Sequence, residues 1–222
     1  VNIITQSIRN RIKRKGHAWA FTTRDFLDLG APATVVVVLS RLVKAGVIRR
    51  IGRGIFDYPE ISRRTGKALP PLVNGVAAAV LRSRGDEALN SPAYEANIQG
   101  LSEHVPGQIV FLSSFSRRVP LGRGEILVKK MNAGERKLLR YKDIAPIIQA
   151  LSFMGKDLAE TRGSELAAIG GRLNRRQHLQ LAEYAETDAP KWMKKHIRTV
   201  LEGGESALGN AGIRKESGKR PR

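Results

Sequence analysis

A chain of 222 residues, 41% of them hydrophobic, has the composition of a globular protein and is long enough for one moderate core or two small ones. Its 39 Lys and Arg against 20 Asp and Glu give a formal net charge of +19, which points to a polyanionic partner. It has no cysteine, which excludes disulfides, thiolate zinc sites and cysteine nucleophiles.

No apolar run reaches the roughly 20 residues of a membrane helix, and Val1 to Lys15 lacks the apolar stretch of a secretory signal. A cytoplasmic protein without a membrane partner is therefore expected. Aromatic residues, at 5%, are too few for a basic amphipathic membrane anchor. The basic excess is densest at the start of the chain. Through Lys67 there are 14 basic and 4 acidic residues, from 68 to 202 there are 20 and 14, and in the last twenty 5 and 2.

Ile4, Ile8 and Ile12 recur every four residues and predict a helix from about Ile3 to Arg14, with Arg9, Lys13 and Arg14 off its apolar stripe. Gly16 ends it. His17 to Phe21 reads as a short extended piece. Thr22 or Thr23 then caps a second short helix that turns Phe26, Leu27 and Leu29 inward, and Gly30 stops it. Pro32 suits the first turn of a third helix, with Val35, Val38, Leu39 and Leu42 as its buried stripe up to Gly46. The run Val35 to Val38 also fits the opening of a buried strand; the Pro32 start, the Leu39 and Leu42 continuation and the Gly46 stop favour a helix. Two β-rich runs, Val47 to Ile51 and Ile55 to Tyr58, flank Gly52-Arg53-Gly54 and predict a hairpin.

This order of elements is that of a winged helix-turn-helix domain, with Pro32 to Ala45 as recognition helix and Arg49 to Ile55 as wing. The expected fold class is α+β: an N-terminal winged helix-turn-helix domain over residues 1–61, a linker over 62–71, and a mixed α/β C-terminal domain over 72–202 that ends in a helical bundle. A disordered basic tail is expected over 203–222. In the C-terminal part, Val73 to Ser83 has helical spacing, and Gln108 to Leu112 and Ile126 to Lys130 look like strands. Gly122-Arg123-Gly124 turns the chain before the second of these strands. Helices follow from about Lys142 to Phe153, Thr161 to Leu173, Arg175 to Tyr184 and Pro190 to Leu201.

Removing the buried stripe from the third helix leaves Thr34, Val36, Val37, Ser40, Arg41 and Lys44 for its exposed face. Arg41 there reads guanine O6 and N7 or pins a phosphate, and Ser40 donates to either. Val36 and Val37 either touch thymine methyls or pack against the second domain or another copy of the chain. Arg49, Arg50 and Arg53 in and beside the wing suit phosphates or a minor groove, and Arg9, Lys13 and Arg14 suit phosphates. Lys15 suits a phosphate in the same way, and the tail residues Arg214, Lys215, Lys219, Arg220 and Arg222 would add nonspecific attraction.

For catalysis there is no nucleophile elbow, phosphate-binding loop, dinucleotide fingerprint or zinc-protease motif. His17, His104, His178 and His196 are far apart, and Asp86, Glu87, Glu183 and Glu186 have no spacing that recommends a metal. No catalytic residue, metal or cofactor is assigned, and a regulator is expected rather than an enzyme. The competing classes are a metal-dependent nucleic-acid-processing enzyme and a nonspecific nucleic-acid binder.

The runs Leu39-Ser40-Arg41-Leu42-Val43-Lys44-Ala45-Gly46-Val47-Ile48 and Arg53-Gly54-Ile55-Phe56-Asp57-Tyr58-Pro59 resemble the AbiEi-like antitoxins of bacterial type IV toxin–antitoxin systems. Asn90 to Asn97, Gly100-Leu101-Ser102, Val105-Pro106-Gly107 and Ile109 to Leu112 look like the segment that follows the winged helix in that family. The resemblance covers roughly residues 3 to 200. It implies a transcriptional autorepressor and antitoxin that binds double-stranded DNA at inverted repeats in its own promoter and counteracts a nucleotidyltransferase-type toxin. Direct contact with the toxin is not part of that implication. Val36-Val37 departs from the family pattern, in which polar or basic residues are usual at those positions.

Overall fold

The four-residue spacing of the early isoleucines forms helix α1 (Ile3–Lys15), which buries Ile8 and Ile12 and ends at Gly16, whose φ of 86° suits a residue without a Cβ. The computed structural model in which this is seen describes residues 3–104, 106–122 and 124–216, with side chains in the last helix described as far as 204. The architecture is mixed α+β, with two small sheets. Among the described residues no helix is long and apolar enough to cross a membrane.

Two compact units divide the chain: Val1–Ala88 together with Gln108–Met131, and Leu89–Gly107 together with Asn132–Arg222. They interleave along the sequence, whereas the sequence reading divides it in order at 62–71. That segment carries a small turn of its own, with Ser62 N donating to the Lys67 carbonyl and an isolated bridge between Ile61 and Ala68.

In the first unit α1 is followed by β1 (Ala20–Thr22), a 3-10 turn (Thr23–Phe26), α2 (Pro32–Lys44), β2 (Arg49–Gly52) and β3 (Ile55–Asp57). The three strands form an antiparallel sheet in the order β1-β3-β2. The expected second helix is this single 3-10 turn. Phe26 is buried, Leu29 is partly buried and Leu27 faces solvent. The Asp25 carboxylate accepts from the Thr22 backbone at 2.7 Å and from Arg82 Nε at 2.6 Å, which fixes the turn before a longer helix can start.

The Val35 to Val38 run is helical, and α2 buries Val35, Val38, Leu39 and Leu42 as the spacing predicts. Ile8, Ile12, Phe21, Phe26 and Phe56 meet these residues in one core. The other face of the sheet is also covered. Ala20 and Ile55 alternate with Phe21 and Phe56 and pack with Val76, Ala79 and Val80 of α3 (Val73–Arg82). This explains why every residue of β1 and β3 is buried.

The same α3 residues pack with Val119, Ile126 and Val128 from the second sheet. That sheet contributes to this unit β5 (Ile109–Ser113), β6 (Arg117–Leu121) and β7 (Gly124–Lys130), once β4 (Leu89–Asn90) and α4 (Pro92–Ile98) of the other unit have been passed in the chain. β7 runs parallel to β5 and antiparallel to β6. The Asp86 carboxylate anchors the segment, accepting from Ser113 Oγ at 2.7 Å and Ser114 Oγ at 2.6 Å.

Among its described residues the second unit has β4 as its one strand and the helices α4, α5 (Ala133–Lys137), α6 (Ala145–Glu160), α7 (Gly163–Gly170), α8 (Arg175–Thr187) and α9 (Lys191–Glu216). α6 is interrupted at Gly155, where φ is 69°. α9 runs on through Gly203-Gly204 instead of giving way to the disordered tail expected from residue 203; of that tail, 217–222 lie outside the described residues. The glycines have a packing reason. A Cβ on Gly203 would overlap the Ala167 backbone, one on Gly170 the Val200 carbonyl, and one on Gly204 the His178 ring, so α7 and α9 pack backbone against backbone. That close approach offsets the roughly 1 kcal/mol by which glycine disfavours a helix.

Candidate nucleic-acid interface

α2 presents its uncovered side opposite the buried stripe. Val36 and Val37 are 49% and 47% exposed, Arg41 and Lys44 are exposed, and Thr34 and Ser40 are half-buried. Val36, Val37, Arg41 and Lys44 are exposed as the helical projection predicts, whereas Thr34 and Ser40, expected on the same exposed face, are partly covered. Arg41 and Lys44 also sit in the last turn, where a cation complements the helix dipole.

The hairpin separates its three arginines. Strand register sets Arg49 opposite Asp57, and the guanidinium grips the almost fully buried carboxylate with Nε at 3.0 Å and Nη2 at 2.5 Å. Arg49, expected among the phosphate-contacting arginines, is thus engaged in holding the hairpin closed. Arg50 is exposed and lies opposite Phe56, its guanidinium 5.2 Å from the ring centroid. Arg53 is exposed at the turn, followed by Gly54 with a φ of 73°. Among the described residues no carboxylate is within ion-pairing distance of Arg41, Lys44, Arg50 or Arg53.

On α1, Arg9, Lys13, Arg14 and Lys15 are exposed, whereas Arg11 turns inward. It donates twice to Asp28, at 2.6 and 2.5 Å, and to the Asp25 carbonyl at 2.7 Å, tying α1 to the turn before α2. The Arg11 hydrogen bonds hold the Asp28 carboxyl below the usual carboxylate range. The sequence does not distinguish Arg11 from its basic neighbours; only its partner on the following turn does.

Charge follows the units. The first holds 21 Lys and Arg against 7 Asp and Glu, and the second 18 against 13. In the second, several cations pair with local acids: Lys137 with Asp188 at 3.0 Å, Arg162 with Glu165 at 2.8 Å and Arg176 with Asp143 at 2.9 Å. Hydrogen bonds from Arg162 and Ser164 lower the Glu165 carboxyl to about 2. Lys137 and Tyr141 lower Asp188 in the same way.

The carboxylates and histidines weighed for metal binding are dispersed. Asp86 is engaged by Ser113 and Ser114, His17 stacks on Tyr58 at 4.1 Å with Nδ1 2.8 Å from the Pro59 carbonyl oxygen, and His196 is buried in the helical unit. Among the described residues no three His, Asp or Glu side chains converge on a position that would hold a cation.

The chain belongs to the family of unknown function DUF6088. The match covers residues 7–176, so the family pattern takes in the α2 surface, the hairpin and the segment from 108 to 131. No curated protein matches the chain.

Two basic residues of that segment, Arg117 and Arg118, were not singled out by the sequence. The signal available was the second Gly-Arg-Gly turn, at residues 122–124, a few positions further on.

Proposed function

We propose that this protein is a sequence-specific DNA-binding transcriptional regulator whose reading unit is a winged helix-turn-helix made of α1, the 3-10 turn, α2 and the β1–β3 sheet. One observation carries the proposal. Within the unit that holds the basic excess, α2 leaves Arg41 and Lys44 exposed and Ser40 half-buried, and the hairpin that follows it bears exposed Arg50 and Arg53.

In this reading α2 enters the major groove, where Arg41 meets guanine O6 and N7 or a phosphate and Ser40 donates to either. Arg50 and Arg53 contact backbone phosphates or a narrow minor groove, and Arg9, Lys13 and Arg14 add phosphate contacts that give affinity without base discrimination. Val36 and Val37 touch thymine methyls or a protein surface. Arg49 supports the wing from inside. No cofactor enters, and the chain acts as a regulator and not as an enzyme.

The resemblance to AbiEi-like antitoxins extends the proposal to biology: an autorepressor of a type IV toxin–antitoxin operon that opposes a nucleotidyltransferase-type toxin. Titrating wild type, Arg41→Ala and Arg53→Ala on the promoter duplex and on a random duplex at two salt concentrations tests the DNA claim. Arg53→Ala is expected to weaken both and flatten the salt dependence, and Arg41→Ala also to relax base preference. Unchanged binding by both variants refutes the assignment. Co-expression with the product of the adjacent reading frame tests the antitoxin claim, which fails if growth is no better with the chain than without it.

A further inference from the structure

The first unit contains a second basic hairpin that the proposed recognition helix and wing leave unused. β6 and β7 are joined through Gly122-Arg123-Gly124, the same tripeptide as Gly52-Arg53-Gly54 between β2 and β3. β2 and β6 are outer strands of their sheets, and they lie side by side. A Cβ placed on Gly52 would sit 3.7 Å from the Pro120 ring, and Arg117 Nη2 donates to the Arg53 carbonyl at 3.0 Å. The tip of the first hairpin is therefore held by a side chain from the second.

Alternation along β6 sends Val119 and Leu121 into the core with α3 and Arg118 to the opposite face. Its side chain is 78% exposed, and its partner Glu125 lies at 3.3 Å. The guanidinium borders a shallow depression of about 410 Å³ shared with Pro120, Gly122, Gly124 and Glu125. Among the described residues nothing beyond the chain neighbours lies within 4 Å of where a Cβ would stand on Gly122 or Gly124, so both positions face open space.

We propose that the β6–β7 hairpin is a second wing of the same surface, in which Arg118 takes a phosphate of the DNA backbone and Arg117 is a positioning residue that sets the spacing of the two hairpins. This rests on the DNA-binding reading above. Arg118 exchanges a weak, solvent-exposed ion pair with Glu125 for a charge-assisted contact to phosphate. The 108–131 segment, with five basic residues and one acidic, then belongs to the binding unit for its charge as well as for its packing.

The test uses the full chain and a duplex of random sequence, with binding followed by fluorescence anisotropy over a salt series. Arg118→Ala is expected to lower the slope of log affinity against log salt by about 0.9, the loss of one phosphate contact, while Arg118→Lys retains it. Glu125→Gln, which frees the guanidinium, is expected to tighten binding about two- to fivefold, a gain that misfolding does not produce. Arg117→Ala is expected to make a following Arg53→Ala less costly than in the parent, a coupling that mere loss of charge would not give. If Arg118→Ala and Glu125→Gln both bind as the parent does while Arg53→Ala lowers the slope, the second wing is wrong and the DNA-binding reading stands. If the parent binds no duplex at any salt concentration, both fall.

Discussion

The two units of this chain differ in charge balance and in close packing. In the first, cations outnumber carboxylates three to one, and Arg41, Lys44, Arg50 and Arg53 on α2 and its hairpin have no acidic partner among the described residues. In the second, the balance is 18 to 13, with Lys137, Arg162 and Arg176 each facing a carboxylate. Its distinguishing feature is internal, the glycine-lined approach of α7 to α9. Of the net charge of +19, +14 lies in the first unit and +5 in the second.

Substitutions that strike each unit's packing should break the comparison most severely. Leu39→Ala, at a fully buried position, is expected to destabilise the protein by about 2–5 kcal/mol in urea denaturation. Gly170→Val, which forces a side chain into the Val200 carbonyl, is expected to cost at least the roughly 1–3 kcal/mol of an overpacked core. A midpoint for either variant equal to the parent's would contradict the packing described.

Next come the hairpin arginines, which the structure sorts into different roles. Arg49→Ala strands the buried Asp57 carboxylate and is expected to cost about 1–3 kcal/mol of stability, whereas Arg53→Ala should leave the thermal midpoint unchanged. On DNA the order reverses. Arg53→Ala should lower the salt slope by about 0.9, and Arg41→Ala should remove about 1–3 kcal/mol of discrimination at one base pair, read by competition between matched and mismatched duplexes.

The smallest effects are those of pH, and they run in opposite senses at Glu95 and Asp86. Burial pushes the Glu95 carboxyl up, against the Asn90 hydrogen bond, so its contribution is fully present below the unfolded value of about 4.3 and declines as pH rises through the folded one. Burial also raises Asp86, but hydrogen bonds from Ser114 and Ser113 outweigh it. Its carboxyl is lowered, and its contribution is present above about 3.9 and lost as pH falls through the folded value. Glu95→Gln should therefore stabilise the protein at neutral pH and not at pH 4, and Asp86→Asn should destabilise it at neutral pH and much less in acid. Stability curves of both variants across that range check the signs.

What the sequence made legible was local. The Ile4, Ile8, Ile12 spacing, the Pro32 start, the Val35, Val38, Leu39, Leu42 stripe and the glycine turn of the first hairpin each act within a few residues, and each yields the element it suggests. The exposed face of α2 follows by subtraction. α4 carries a local signal too, a Ser91 cap followed by Pro92. β6 was hidden by Pro120, which an outer strand tolerates.

The remaining differences depend on partners distant in sequence. Gly203-Gly204 reads as a helix stop until α7 is placed against it. Arg49 reads as a wing cation until the register sets it opposite Asp57. Residues 108–131 read as part of a following domain until α3 is found between the two sheets. Composition could have hinted at the last of these, since the segment is as basic as the N-terminal region.

The central claim is that the α2 face reads DNA sequence. Selecting bound duplexes from a random pool with the full chain, in parallel with Arg41→Ala, tests it most directly. Wild type is expected to enrich one motif, with inverted repeats if two copies bind together, and Arg41→Ala to lose preference at defined positions while still retaining duplex. A pool that stays random with wild type, or an enriched motif that Arg41→Ala reproduces unchanged, would contradict it.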